Sequence, residues 1–321
     1  AATTIELVKN ENYWDAGAVK LDGIKYQVIK EAQQTILSYQ NGDLDLATLS
    51  GEQVEQFKAD PEFNNIMEGY LWYISPNQKV AGLENENLRK ALALSYDKDA
   101  VVNNILKDGS VVADFAVPTL LSTGPDGKDF RDGSDTYLST DKTKALEYYN
   151  LAKTELGKEA FEYTIIVEDT ESAQNVAQFI QSEIQTTLPG VTITLEVLPK
   201  KNRVERMQNG DYEIGFTRWG PDYADPMTYL DMWTTDSPNN YGLWSNTEYD
   251  EVIESAKSGD LALDPEARWE ALKNAEKTVM DEAVIAPVYQ KGNAVMIKKN
   301  VSNIEFHSVG VSRIYKNAGI E

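Results

Sequence analysis

The sequence predicts an α/β protein of two lobes, and three observations carry that prediction. A β-α-β-α-β succession runs from Tyr163 to Arg218, the pattern of a sheet covered by helices. A chain of 321 residues is long enough for two apolar cores. Composition shifts near Gly82 and strand-like sequence returns near residue 285, so the chain reads as leaving one lobe and coming back. Two lobes joined by two crossings is an arrangement suited to a cleft that closes.

The elements follow in order. Residues 5–9 and 24–29 alternate apolar and polar side chains and read as strands around a Tyr13, Trp14, Asp15 loop. Residues 32–41 read as a short helix, with Ile36, Leu37 and Gln40 at helical spacing and Gly42 as its stop. Residues 43–46 read as a strand, 51–59 as a helix ended by Asp60 and Pro61, and 67–74 as a strand carrying Tyr70, Trp72 and Tyr73. Since Trp72 and Tyr73 point to opposite faces of that strand, one is expected in the core and the other is free to face a ligand. Residues 85–106 place Leu88, Ala91, Leu92, Ser95 and Tyr96 on one helical face, with Asp97 opening a second helix at Lys98.

Residues 107–140 are rich in Gly and Pro and read as an irregular surface stretch. A helix at 141–156 leads into strand 163–167, helix 172–187, strand 192–197, helix 202–208 and strand 214–218. Helices at 246–255 and 264–282 follow, the second with Pro265 in its first turn and an acidic face assigned to solvent. Residues 285–289 and 294–297 read as two further strands.

Composition narrows the chemistry. Net charge is −22, from 52 acidic and 30 basic residues, with no local basic cluster, which repels nucleic acid and anionic membranes. No apolar run is long enough to cross a bilayer as a helix. Residues 1–4 lead straight into the first strand without a secretory leader, as in a mature, trimmed or partial chain. The absence of cysteine removes thiolate catalysis, Cys-ligated metals and disulfides. With His307 as the one histidine, no site needs two imidazoles, and no serine sits in a G-x-S-x-G elbow. Asp43 and Asp45 could suggest the paired carboxylates of a hydrolase, a reading set aside in favour of a binding role.

The densest unusual stretch is Arg218, Trp219, Gly220, Pro221, Asp222, Tyr223, Ala224, Asp225 and Pro226, followed by Tyr229, Trp233, Asn239, Asn240, Tyr241 and Trp244. A strand ends at Arg218 and Gly220 with Pro221 forces a turn. Asp225 before Pro226 reads as a helix cap and so as structural. Asp222 has no such duty. A carboxylate among aromatic faces suits a cationic group, through charge-assisted hydrogen bonds and cation–π attraction. The alternative is that Asp222 caps a turn and the tryptophans fill a core; composition leaves both readings open.

Four motifs then resemble one family in order along the chain. Asn10, Tyr13, Trp14 and Asp15, with Tyr39, Gly42, Asp43 and Asp45, resemble the N-x-x-Y-W-D and Y-x-x-G-[DE]-x-D signature of family 5 solute-binding proteins. Arg89, Ala91 and Leu92 with Asp97 resemble its R-x-A-L and A-x-D helix. Trp219 to Pro226 resembles W-x-x-D-Y-x-D-P, and Asn239, Asn240, Trp244, Asn246, Tyr249 and Asp250 resemble N-N followed by W-x-N-x-x-Y-D. The resemblance covers nearly the whole chain but only about the last three-fifths of such a protein.

It implies a periplasmic-binding-protein-like type II fold, incomplete here. Residues 1–83 and 285–321 would form part of domain I, and 84–284 domain III. It also implies reversible capture of oligopeptides for an ABC importer, with Asp222 as counterion of the α-ammonium. Trp219 and Tyr223 would line the cleft with Asn240 and Tyr241 nearby, while Trp14 and Asp15 would serve packing and a turn. The implied partners are an oligopeptide and membrane permease subunits, with no nucleic acid and no cofactor, for a monomer. Its place would be extracellular or periplasmic, held by a lipid anchor on a preceding segment. Alone, this stretch is expected to bind peptide weakly. Within the family the ligand alternatives are a nickel complex, haem or an oligosaccharide, and outside it a glycoside or peptide hydrolase.

Overall fold

The computed structural model of the chain describes residues 4–29 and 31–321, so the lead-in at residues 1–3 lies outside it. The chain forms two compact units. One comprises Ala1–Glu68, Leu106–Ser110 and Gly292–Glu321; the other comprises Gly69–Ile105 and Val111–Lys291. Both main divisions fall inside long strands, one within residues 63–76 and the other within residues 286–297.

In the first unit, β1 (Thr4–Val8) and β2 (Gly23–Gln27) form an antiparallel hairpin. Its apolar residues Ile5, Leu7 and Val8 are largely exposed. Helix α1 (Ala32–Asn41) follows, ended by Gly42 at φ 84°, where a side chain would be strained. Strand β3 (Leu46–Thr48) begins three residues later than 43–46 suggests, so Asp43 and Asp45 precede it. Helix α2 (Glu52–Phe57) leads to β4 (Phe63–Pro76). β3 pairs antiparallel with residues 295–297 of β9 (Ala286–Ile297). The core here is Ile36, Tyr39, Ala47, Leu49, Ala294 and Met296.

β9 is one strand where the sequence suggests two. The glycine at 292 reads as a break but serves close approach: a Cβ there would fall on the backbone carbonyl of Gly109. The tail adds short antiparallel pairs, β10 (Val301–Ser302) with β13 (Gly319–Ile320) and β11 (Glu305–Phe306) with β12 (Arg313–Ile314). Strands of two residues are too short for periodicity to reveal.

The second unit is the α/β body. Helix α3 (Glu86–Leu94) starts at Asn85, whose side chain accepts the Leu88 N–H. Helix α4 (Lys98–Ala100) is capped by Asp97 and widens into a π-type turn over Val101–Leu106. After β5 (Val111–Val112) come α5 (Lys142–Leu156), β6 (Phe161–Glu168), α6 (Glu171–Thr187), β7 (Val191–Leu198), α7 (Lys200–Gln208) and β8 (Ile214–Trp219). Then α8 (Met227–Leu230), α9 (Thr247–Ser258) and α10 (Pro265–Asp281) complete the unit.

β6 pairs parallel with both β7 and β8, and β8 pairs antiparallel with β4, Leu71 standing opposite Trp219 and Trp72 opposite Arg218. β6 is buried over most of its length, whereas β7, beyond it in the sheet, alternates buried and exposed residues. Trp72 and Tyr73 are both buried, at 6% and 2%, so neither face of β4 presents a ring to solvent there.

Buried charges fasten the irregular stretches to this body. Arg89 donates to the carbonyls of Leu83, Glu84, Glu282 and Ala283. The Lys98 ammonium is buried against Asp114 at 2.8 Å and the carbonyls of Ala113 and Leu138. Glu276 is fully buried on α10, whose acidic face the sequence assigns to solvent; it accepts from Arg131 and from the N–H groups of Ala116 and Val117. The glycine-rich segment 107–140 is thus partly anchored.

Candidate ligand-binding site

β8 and β6 run parallel and end together, at Trp219 and Glu168, and the loop after β8 leaves from the carboxyl edge where α/β folds place ligands. The loop is held from below. A Cβ on Gly220 would meet the Tyr70 ring, so only glycine lets that ring lie against the turn. The Asp222 N–H donates to Thr228 Oγ1 at 3.0 Å, and the Trp219 indole N–H donates to the Thr228 carbonyl at 3.0 Å. Asp225 accepts the Met227 N–H at 2.9 Å and takes the Arg268 guanidinium on both oxygens, each at 2.9 Å. Asp225 is therefore the structural cap expected of it, strengthened by a forked ion pair.

These fastenings leave Asp222 and Tyr223 on the outside. Asp222 is exposed, and among the described residues its carboxylate takes no hydrogen bond and no ion pair. Tyr223 is 44% exposed. Partial burial pushes the Tyr223 phenol up to about 12, helped by the charges of Asp231, Asp225 and Asp222 and opposed by Arg268. The Asp231 carboxyl is raised by burial and by Asp222, against Lys257. Asp225 and Asp231 have cationic partners; Asp222 has none among the described residues and stands open to solvent.

The second loop differs from expectation. Asn240 is 3% exposed, and its amide donates to the carbonyls of Thr234 and Trp244 at 3.1 and 2.7 Å while accepting the Trp244 N–H at 3.3 Å. Both its N–H groups are committed inside the loop. Trp244 is buried and donates to Glu282, Asn246 caps α9 at the Tyr249 N–H, and Asp250 accepts the Thr235 N–H. The N-N and W-x-N-x-x-Y-D pattern is a bracing network. Tyr241 packs against the cluster of Ile166, Met207 and Tyr212, and burial raises its phenol against the charge of Arg203. Trp14 is 82% exposed, with the Lys316 ammonium 5.0 Å from a ring centroid; it does not pack, while Asp15 pairs with Lys316 at 2.6 Å.

Sequence reasoning missed one cluster at this edge. Glu168 is buried and holds both Arg218 and Arg203. Arg203 lies on α7 (Lys200–Gln208), read from sequence as a helix at 202–208, and is 1% exposed. No local pattern distinguishes it from its neighbours. Among the described residues, no three or more acidic or histidine side chains gather as a metal site, and no helix is long and apolar enough to cross a membrane.

Comparison with known proteins agrees with this architecture. Residues 1–241 match the family described as bacterial extracellular solute-binding proteins, family 5 Middle. A dipeptide-binding protein of Lactococcus lactis is 31% identical over 324 residues, covering 97% of this chain and 58% of its own length. The substrate-binding domain of an oligopeptide ABC transporter from Bacillus anthracis superposes with a TM-score of 0.82 at 36% identity, covering 99% of this chain and 62% of that one. Listeria monocytogenes OppA bound to peptide gives 0.81 at 31% identity, over 100% and 62%. The fold is thus the periplasmic-binding-protein-like type II α/β fold, in part: the chain spans about three-fifths of the proteins it resembles.

Proposed function

We propose that this chain, which belongs to the bacterial extracellular solute-binding proteins of family 5, is part of the binding component of an ABC importer and captures oligopeptides reversibly. The observation that carries the reading is Asp222, an exposed carboxylate without a partner among the described residues, in a loop whose backbone is pinned by Thr228 and Asp225. Such a group is pre-organised: no existing ion pair must break before an ammonium binds. Trp219 and Tyr223 flank it in the chain, so their rings would line the ligand beside the carboxylate. Asn240 is spent inside its own loop, and Tyr241 packs on the cluster of Ile166, Met207 and Tyr212 within reach of the Arg203 charge.

The peptide would be held without bond breaking and handed to permease subunits, by a monomer tethered through lipid at the cell exterior or in the periplasm. Names of the relatives supply the ligand class: one is a dipeptide-binding protein, another an OppA bound to peptide. The test is calorimetric titration of the full-length protein with a peptide and its N-acetyl derivative, in the wild type and in Asp222→Asn. A charge-assisted hydrogen bond of about 1.5–3 kcal/mol predicts that acetylation weakens wild-type binding about 10- to 150-fold. In Asp222→Asn acetylation should matter little. Equal losses in both proteins would refute the assignment.

A further inference from the structure

β7 ends its sheet, with β6 on one side and no strand on the other among the described residues. A free sheet edge carries a row of unpaired N–H and C=O groups and invites a strand from another chain. Bonds at the two ends of the strand show which way each residue turns. The Gly190 and Leu198 carbonyls accept the N–H groups of Phe161 and Asp169, so even-numbered residues of β7 turn their backbone groups toward β6. The odd-numbered ones, Val191, Ile193, Leu195 and Val197, turn theirs outward.

Two glutamines of α6 reach this edge. Gln181 and Gln185 stand one turn apart on the same face of the helix. The Gln181 amide donates to the Ile193 carbonyl at 2.7 Å, and the Gln185 amide oxygen accepts the Ile193 N–H at 2.9 Å. Ile193 therefore has both outward groups filled from its own chain. The Val191 N–H is taken as well, by the Leu188 carbonyl at 3.0 Å. Leu195 and Val197 take no outward bond among the described residues, and Val197 is 45% exposed. Pro189 and Pro199, which cannot donate to a ladder, bracket the strand.

Register decides what the edge would otherwise accept. Two copies of β7 related by a two-fold axis pair antiparallel, outward residue against outward residue. With only Leu195 and Val197 open, using both sets Leu195 against Val197 and the two Glu196 carboxylates directly opposite each other. Side chains come closest in that kind of pair, and like charges there are destabilising. Arg206, 2.7 Å from Glu196, neutralises the charge only in part, since it also pairs with Asp211. With Ile193 open too, Leu195 meets Leu195 and Ile193 meets Val197 twice, which gives three rungs and puts Glu196 opposite Thr194. The strand suits such pairing, being rich in β-branched residues with Glu196 as its one charge. We propose that Gln181 and Gln185 guard the sheet edge, occupying Ile193 so that β7 does not pair with β7 of a second copy. This role is independent of the one given to Asp222.

The test is sedimentation velocity over a range of concentrations, on the full-length wild type, on Gln181→Ala/Gln185→Ala, and on that double variant carrying Val197→Lys. Alanine keeps α6 helical. One added rung is two backbone hydrogen bonds, so the double variant should self-associate about 5- to 150-fold more tightly than wild type. A lysine on the edge should return it to wild-type behaviour. A double variant that associates no more tightly than wild type overturns the proposal. So does association that Val197→Lys leaves in place, because it uses another surface. Should the alanines not fold, Gln181→Asn/Gln185→Asn, with both amides one methylene too short, takes their place with the same expectation. Amide hydrogen exchange of the wild type needs no variant. Ile193 should exchange at least about tenfold more slowly than Leu195 and Val197, and equal rates overturn the guard.

Discussion

Replacing Arg89 by methionine removes a cation of similar length from the place where α3 meets the segment before β9. Arg89 is 4% exposed, and its three guanidinium nitrogens donate to four backbone carbonyls. Two of these bonds, to Ala283 at 3.1 Å and Leu83 at 3.0 Å, are fully buried; those to Glu84 and Glu282 are partly so. A buried carbonyl left without a donor costs about 1–3 kcal/mol, and water can reach the two outer ones. The loss should therefore be about 3–5 kcal/mol, the range for breaking a buried charged network. At about 2–4 °C per kcal/mol for a unit of this size, the thermal midpoint should drop about 6–20 °C. Lysine, a point charge with three donors, cannot span all four acceptors, and Arg89→Lys should lose roughly half as much. Thermal denaturation followed by circular dichroism measures both. A methionine variant melting within about 2 °C of wild type would mean the carbonyls find other donors.

Two further outcomes concern the buried acid of α10 and the glycine of β9. Burial raises the Glu276 carboxyl above its ordinary value of 4.5, against Arg131 and two backbone N–H groups. A raised acid keeps its proton longer in the folded state, so stability falls as pH rises through the window just above 4.5. Glu276→Gln carries no such proton, and its midpoint should vary less with pH over that window; parallel profiles would contradict this. Gly292→Ala would place a methyl on the Gly109 carbonyl, where only backbone can give way. It should cost about 1–3 kcal/mol or more, read from denaturant midpoints, and a neutral effect would show that β9 can shift.

Helix starts were legible because capping is local chemistry. Asp97, Asp141, Asn246 and Asp264 each accept an N–H three residues on, as short polar side chains before helical periodicity predict. The β-α-β-α-β core was legible for a similar reason, since eight-residue strands rich in β-branched and aromatic residues alternate with segments of helical spacing. β9 was misread as two strands because Lys291, Gly292 and Asn293 have turn composition, whereas the glycine is there for a neighbour 183 positions back. Glu276 was misread as a solvated acid because burial of a charge depends on where its partner comes from, here Arg131.

At the candidate site the division is the same. Sequence by itself determined the family, the α/β class, the turn after β8 and the separation of Asp225, a cap, from Asp222, which has no capping duty. These depend on residues within a few positions of each other, where chain geometry fixes contact. Only the tertiary structure decided that Asn240 is a brace, that Tyr241 sits with Arg203, and that Glu168 gathers two arginines from other elements. Whether a polar group is open to a ligand depends on its remaining unpaired donors and acceptors, and those are set by neighbours that folding brings from far along the chain.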